Sequence, residues 1–241
     1  MSTRRWQILP VKDESKVDEL QSALNDLPRA LARALVLRGI DSFDAAKHFF
    51  RSGIDSLHDP YLMTDMDKAV DRIVKGLEDK QKFLVYGDYD VDGTTSTTLL
   101  THYLGSLGAD VCFFIPDRFK HGYGLSESGL DEAKTMGAEI VVALDCGVTA
   151  IAETEYARSL GMDLVICDHH TPGATLPNAI AVLDAKRSDC SYPFKELCGC
   201  GVTMKLAQAI HTRLGKDPTE INQYLDLVAI ATASDVVSLT G

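Results

Sequence analysis

The sequence predicts an α/β fold: an open, mostly parallel sheet with helices on both faces, preceded by a helical N-terminal segment. Three observations predict it. Five short runs are almost wholly apolar: FLVY (83–86), DVCFFI (110–115), EIVVALD (139–145), DLVICD (163–168) and AIAVLD (179–184). Such runs suit strands buried on both faces of a parallel sheet. Helical patterns lie between them, from Gly93 to Leu107, Ser126 to Met136 and Thr149 to Leu160, and this alternation makes βαβ units. Before Phe83 the texture is helical only.

The elements follow in order. From Leu27 to Phe50 the pattern predicts two short helices, with Gly39 as a stop and Asp41 or Ser42 as a cap. A turn-rich connector surrounds Pro60. Thr64 and Asp67 have capping-box spacing and open a helix with Met66, Ala69, Val70, Ile73, Val74 and Leu77 on one stripe. After Asp184 comes a loop, then a helix with Val202, Leu206, Ile210 and Leu214 four apart, then a helix from Thr219 to Ala231. Two regions result, a helical segment over 1–78 and an α/β domain over 79–241. The chain stops a few residues past Asp235, where a domain rarely ends, so a fragment of a longer protein is expected.

Composition narrows the function classes. The chain is 45% hydrophobic and 24% charged, as an ordinary globular protein is, with enough apolar material for a core without staples. A net charge of -11 opposes indiscriminate binding of polyanions. Bound divalent ions would reverse that field locally, and Arg118, Lys120 and His121 form a small basic patch. The N-terminus, MSTRRWQILPVKDESK, has no apolar run of signal-peptide length. No stretch reaches the roughly 18 consecutive apolar residues of a membrane span. The six cysteines form no spaced framework, and Cys112 and Cys167 sit inside apolar runs. They read as reduced thiols, so a cytoplasmic location with no membrane partner is expected.

In open α/β sheets, ligands bind beyond the carboxyl ends of the strands. FLVY is followed by Asp88, Asp90 and Asp92; IVVAL ends at Asp145; LVIC ends at Asp168, His169 and His170. Five carboxylates on one rim repel one another and call for a cation. Oxygen ligands with one or two imidazoles suit Mn²⁺ or Mg²⁺. Singly, these residues have plainer readings: Asp145 as a helix cap, and Asp-His-His as a loop with a structural histidine.

Other patterns compete. D-x-D-x-D-G also begins an EF-hand loop, but its twelfth position here is Leu99, where a bidentate Glu is required, and a strand precedes it. Asp90-Val91-Asp92-Gly93-Thr94 matches the D-x-D-G-T of aspartyl-nucleophile phosphatases, a chemistry that gives Asp88 and the Asp-His-His no role. Thr94 to Thr98 put five hydroxyl residues in a first helical turn against propensity. They are candidates to hold a phosphate or to orient carboxylates, with plain capping as the alternative. The Asp117–Leu125 loop, with Gly122 and Gly124 around Tyr123, has the freedom to bring backbone against a phosphate, and Tyr123 could stack on a base. Cys198-Gly199-Cys200-Gly201 reads as a close-packed glycine turn rather than a zinc site, and His102 and His211 as surface or packing residues.

In order, YGDYDVDG, ALDCG, CDHHTPG and ATASDVVSL resemble the four motifs of the DHH-family phosphoesterases. RALARALVLRGI, SLHDPYLMTDMDKAVDRI and IPDRFKHGYGLS are similar to the RecJ-type single-stranded-DNA-specific exonucleases within that family, so the likeness runs from Leu27 to Gly241. The resemblance implies two divalent metal ions, Mn²⁺ or Mg²⁺, held by Asp88, Asp90, Asp92, Asp145, His169 and Asp235, with Asp145 bridging. It implies that His170 faces the phosphate and Asp168 orients the site, so Asp145, Asp168, His169 and His170 form the catalytic group. Where some relatives carry a histidine, this chain has Tyr86, and Asp88 substitutes, as in the RecJ type. Together with the glycine-tyrosine loop, this makes Arg118, His121, Gly122, Tyr123, Gly124 and His170 the expected substrate contacts.

The implied reaction is metal-dependent phosphodiester hydrolysis, 5′→3′ on single-stranded DNA, in DNA repair and recombination. The implied partners are single-stranded DNA, a single-stranded-DNA-binding protein and a helicase. Two alternatives share the fold: a small-substrate phosphoesterase acting on oligoribonucleotides or cyclic dinucleotides, and a non-catalytic DHH scaffold. The scaffold predicts eroded ligand positions, and none is eroded. RecJ-type proteins continue into a DHH-associated domain and an oligonucleotide-binding fold, so strong grip on DNA and processivity are not expected of this chain alone.

Overall fold

The computed structural model describes residues 7–239, in two compact units that divide between Leu57 and His58. Arg4, Arg5, Thr240 and Gly241, which entered the reading of the termini, lie outside the described residues.

The first unit holds α1 (Glu14–Ala23), α2 (Arg29–Val36) and α3 (Phe43–Arg51). Side-chain caps start two of them: Asp13 accepts from the Ser15 N–H and Ser42 from the Ala45 N–H. Beyond α2, Gly39 takes a positive φ of 79°, the stop that the sequence predicts. Leu20, Leu35 and Ala46 form the small core.

The second unit is built on five parallel strands: β1 (Lys82–Tyr86), β2 (Asp110–Phe114), β3 (Ile140–Leu144), β4 (Asp163–Cys167) and β5 (Ala181–Leu183). Their order is β2-β1-β3-β4-β5. The order reverses between β1 and β3, and that switch point is where a doubly wound sheet opens a crevice. α4 (Met66–Glu78), α5 (Val91–Ser106), α6 (Glu127–Thr135), α7 (Ile151–Ser159), α8 (Gly199–Arg213) and α9 (Leu225–Ser234) cover the sheet.

Alternation along each strand feeds two cores. Phe83, Val85, Ile140, Val142 and Val165 pack with α4, α5, α8 and α9. Leu84, Tyr86, Val141, Ala143 and Ile166 pack with α6 and the residues around α7. The edge strand β2 departs from the expected two-sided burial: among the described residues it pairs only with β1, and it leaves Phe113 56% exposed. The sequence expects a boundary at 78/79, and the compact units divide at 57/58. The reason is α4, whose Met66, Ala69, Val70 and Ile73 are buried in the same core as Phe83 and Ile140.

The capping box expected at Thr64 does not form. Thr64 Oγ1 donates to the Asp189 carbonyl, and the residue before α4 is Asp65, at a left-handed φ of 67° with no capping bond. The Asp65 carboxylate is engaged by Arg187 and Lys68 instead. Arg187 is itself buried, and it also forms a bidentate pair with Asp189 and donates to the Val182 carbonyl. It thereby ties the end of the sheet to the entry of α4. All six cysteines are free, and all but Cys112 are buried. Among the described residues no helix is long and apolar enough to cross a membrane.

Removing a buried cation strands its carboxylate partners. Arg187→Ala is therefore expected to lower unfolding free energy by about 3 kcal/mol, read by urea denaturation. An unchanged midpoint would mean that the Asp65–Arg187–Asp189 cluster contributes nothing net.

Candidate metal centre

The site grows from the carboxyl ends of β1, β3 and β4. Beyond β1, Asp90 takes the N-cap of α5 and accepts from the Gly93 N–H at 2.9 Å. A Cβ on Gly93 would lie 2.5 Å from the Asp88 carbonyl oxygen, so only glycine lets α5 begin this close to the strand end. This tight turn places Asp88 and Asp92 in the buried interior and leaves Asp90 at the rim.

Asp92 is held from across the chain. Its two oxygens accept the N–H groups of Gly199 (2.6 Å) and Cys200 (2.7 Å), the first residues of α8. Free amides and the helix dipole make such a terminus a natural seat for a carboxylate. The turn that the sequence suggested as close-packed is thus the amino end of a helix, with Cys198 at its cap. Gly199 has a second reason to lack a side chain: its Cβ would stand 2.8 Å from Oδ1 and Cβ of Asp145.

Asp145 follows β3 with φ at 59°, a left-handed conformation uncommon for a non-glycine residue. Its N–H bonds the Cys167 carbonyl, which fixes the strand end, and its side chain is buried. Asp168 is satisfied by the chain itself. It accepts from the N–H groups of Val148 (2.8 Å) and His169 (2.7 Å), and its Oδ1 lies 2.7 Å from His170 Nδ1. Burial pushes the Asp168 carboxyl up, but these bonds, His170 foremost, outweigh it and hold it below the usual range.

His169 gathers the remaining carboxylates. Its Nε2 lies 3.1 Å from Asp145 Oδ1, 3.6 Å from Asp92 Oδ2 and 3.7 Å from Oδ2 of Asp235, which follows α9. The potential ligand atoms fall into three groups, each within 4.8 Å: Asp88–Asp90–Asp145, Asp145–His169–His170 and Asp92–His169–Asp235. Asp145 and His169 are each shared between two groups. All six residues expected as ligands are therefore brought together.

The chemistry of these donors fits divalent ions. Both oxygens of Asp88, Asp145 Oδ1 and His169 Nδ1 are buried with no hydrogen-bond partner among the described residues. Burial, then the charges of Asp92 and Asp90, push the Asp145 carboxyl up to about 10, and burial also raises Asp88 and Asp92. Oxygen-rich clusters with one or two imidazoles are the donor sets of Mn²⁺ and Mg²⁺.

Apart from His170, which follows β4, the expected substrate residues lie on the 117–125 loop, with different engagements. Tyr123 Oη is 3.1 Å from His170 Nε2, and the Tyr123 ring meets Tyr89 edge-on at 6.1 Å. The Arg118 guanidinium sits over Tyr89 at 5.7 Å. Gly122 and Gly124 both take positive φ, and the Gly124 carbonyl accepts from Tyr86 Oη. His121 is taken up within the loop: its Nδ1 accepts the Asp117 N–H and its ring packs on Phe114. A cavity of about 340 Å³ is lined by His170 and Tyr123 together with Val148, Thr149 and Glu153.

Thr94 to Thr98 do not offer their hydroxyls to a ligand. Each bonds the carbonyl four residues earlier, from Thr94 on Asp90 to Thr98 on Thr94. Sequence reading missed the Gly199 and Cys200 amides. The only local signal for them was the pair of glycines opening a helical pattern.

Residues 82–232 match the DHH family, N-terminal domain. The chain belongs to the DHH family. Among curated DHH relatives it is 42% identical, over 99% of its length, to the single-stranded-DNA-specific exonuclease RecJ of Bacillus subtilis (strain 168), covering 29% of that protein. It is 36% identical to RecJ of Escherichia coli (strain K12), over 93% of its length and 40% of that protein's. The structure of RecJ in complex with Mn²⁺ from Thermus thermophilus superposes with a TM-score of 0.80 at 30% identity, over 98% of this chain and 33% of that one. The chain thus spans less than half the length of these relatives.

A carboxyl whose folded pKa is raised costs stability as pH climbs above its unfolded value, because folding then requires a proton or a desolvated charge. With metal chelated, Asp145→Asn is expected to melt higher than the unaltered chain at pH 8. The gap should close as pH falls toward 4, read by thermal melts across that range. A constant gap would remove Asp145 ionisation as its cause.

Proposed function

We propose that this chain is the catalytic part of a metal-dependent exonuclease that hydrolyses single-stranded DNA from its 5′ end, in DNA repair and recombination. The observation that carries the reading is Asp145 standing between two clusters of ligand atoms, one reaching Asp88 and Asp90, the other His169 and His170. The similarity to RecJ proteins along nearly the whole chain supports the substrate class, and intact ligand positions argue against a non-catalytic scaffold. A reducing cytosol, as the free and mostly buried cysteines suggest, is the proposed location. A single-stranded-DNA-binding protein and a helicase are the proposed partners.

Asp88, Asp90, Asp92, Asp145, His169 and Asp235 would hold two Mn²⁺ or Mg²⁺ ions, and Asp145 belongs to two of the groups of potential ligand atoms. When bound, the ions supply the positive charge that polarises a phosphate and acidifies an attacking water. The protein's own residues do the rest. Asp168 fixes His170 through Nδ1, leaving Nε2 for the substrate phosphate. The hydrogen bond that the His170 Nδ1–H donates to Asp168 raises His170 above its ordinary pKa, which favours the cation that a phosphoryl oxygen needs. Tyr123 holds that nitrogen in the free protein and yields it when a phosphate enters. Its ring, with Tyr89 and Arg118, then offers a base a stacking surface with a cation at its edge.

The test is hydrolysis of DNA labelled at either end, beside short RNA and cyclic dinucleotides, with Mn²⁺. Mononucleotide release from the 5′ end of single strands is expected, and Asp145→Ala should abolish it with the fold intact by circular dichroism. Preference for the dinucleotides, or activity surviving in Asp145→Ala, would refute the proposal.

A further inference from the structure

The turn that opens the 117–125 loop is closed by its own hydrogen bonds. Asp117 Oδ1 accepts the N–H groups of Phe119 (2.8 Å) and Lys120 (3.1 Å), and the Asp117 carbonyl accepts those of Lys120 (3.1 Å) and His121 (2.8 Å). The Asp117 N–H donates to His121 Nδ1 at 2.9 Å, and the His121 ring packs on Phe114 at the end of β2. Within this turn stands Phe119, 97% exposed. A single exposed apolar residue is ordinary on a protein surface. A phenyl ring held out on a turn anchored to the sheet is better placed than most, because little backbone remains to be ordered when the ring meets a partner.

The surroundings say what that partner is. Arg118 and Lys120 flank the ring in a chain whose net charge is -11. Arg118 lies over Tyr89. Lys120 is 69% exposed with Glu132 3.8 Å away, a pair too loose to neutralise it. From Arg118 a line of rings continues through Tyr89 to Tyr123, whose Oη is 3.1 Å from His170 Nε2. Cations that follow a phosphate backbone, interleaved with rings that stack on bases, are the means by which proteins hold single-stranded nucleic acid.

We propose that Phe119 stacks on an unpaired base of the strand being degraded, beyond the base that meets Tyr123 and Tyr89, and so favours single strands over duplex. The inference rests on the exonuclease reading given above and adds a residue that this reading does not use. In a duplex, neighbouring pairs cover the faces of the internal bases, and the ring finds no such surface.

The test uses the whole chain with Mn²⁺, oligo-dT as substrate and a blunt duplex as competing inhibitor. Phe119→Ala is expected to raise KM for oligo-dT about 10-fold, the loss of one stacked base, with smaller changes in kcat and in inhibition by the duplex. Phe119→Leu, apolar but without a ring, should behave like Phe119→Ala, and Phe119→Trp should keep the starting KM. Stacking also quenches indole emission, so oligo-dT should quench the Phe119→Trp chain beyond the unaltered one, whose single tryptophan is Trp6. An unchanged KM in Phe119→Ala, a Phe119→Leu chain that matches the unaltered one, or no added quenching would each overturn the proposal. Equal weakening toward oligo-dT and duplex would do the same, since the ring would then not distinguish unpaired bases. A chain that neither hydrolyses nor binds oligo-dT would sink the exonuclease reading itself, whereas ordinary hydrolysis with an indifferent Phe119 sinks this inference alone.

Discussion

Negative charge gathered where water is scarce raises its own free energy, both by repulsion and by lost hydration. The carboxyl edge of this sheet is arranged around that constraint, and its aspartates meet it in two ways. Asp92 and Asp168 are satisfied by the protein, the first by two amides of α8, the second by backbone N–H groups and His170. Asp88 and Asp145 keep oxygens that no described residue satisfies. The first pair shapes the site, and the second pair leaves it a demand for cations.

The fold makes this concentration of charge tolerable by burying apolar surface elsewhere. Both faces of β3 are buried, and two separate cores flank the sheet. That stability supports local features that cost energy, notably the left-handed backbone at Asp145 and the close approach of α8 to it. Strain and unsatisfied groups sit together at one edge, while the regular elements behind them are conventionally packed. Local rules are broken where chemistry is placed and kept where it is not.

Much of this was legible in the sequence because it is local. The apolar runs gave the strands, and the rim position of Asp88, Asp90, Asp92, Asp145, Asp168, His169 and His170 followed from where those runs end. What was not legible depends on contacts between distant segments. The amides that clamp Asp92 come from 107 and 108 residues away. Thr64 has the spacing of a cap, yet its hydroxyl is claimed by Asp189, 125 residues on. The hydroxyls of Thr94 to Thr98 could be read as ligands because nothing local tells a back-bonded hydroxyl from a free one.

The clamp on Asp92 also sets an order of events in time. A chain emerging from the ribosome completes all five strands before Gly199 and Cys200 exist, and Asp235 arrives later still. Up to then Asp92 has no amides to hold it, and the ligand clusters are incomplete. A half-made polypeptide therefore carries all five strands before the helices α8 and α9 that complete one of their two cores and the edge. The set of potential ligands is complete only once synthesis has passed α9.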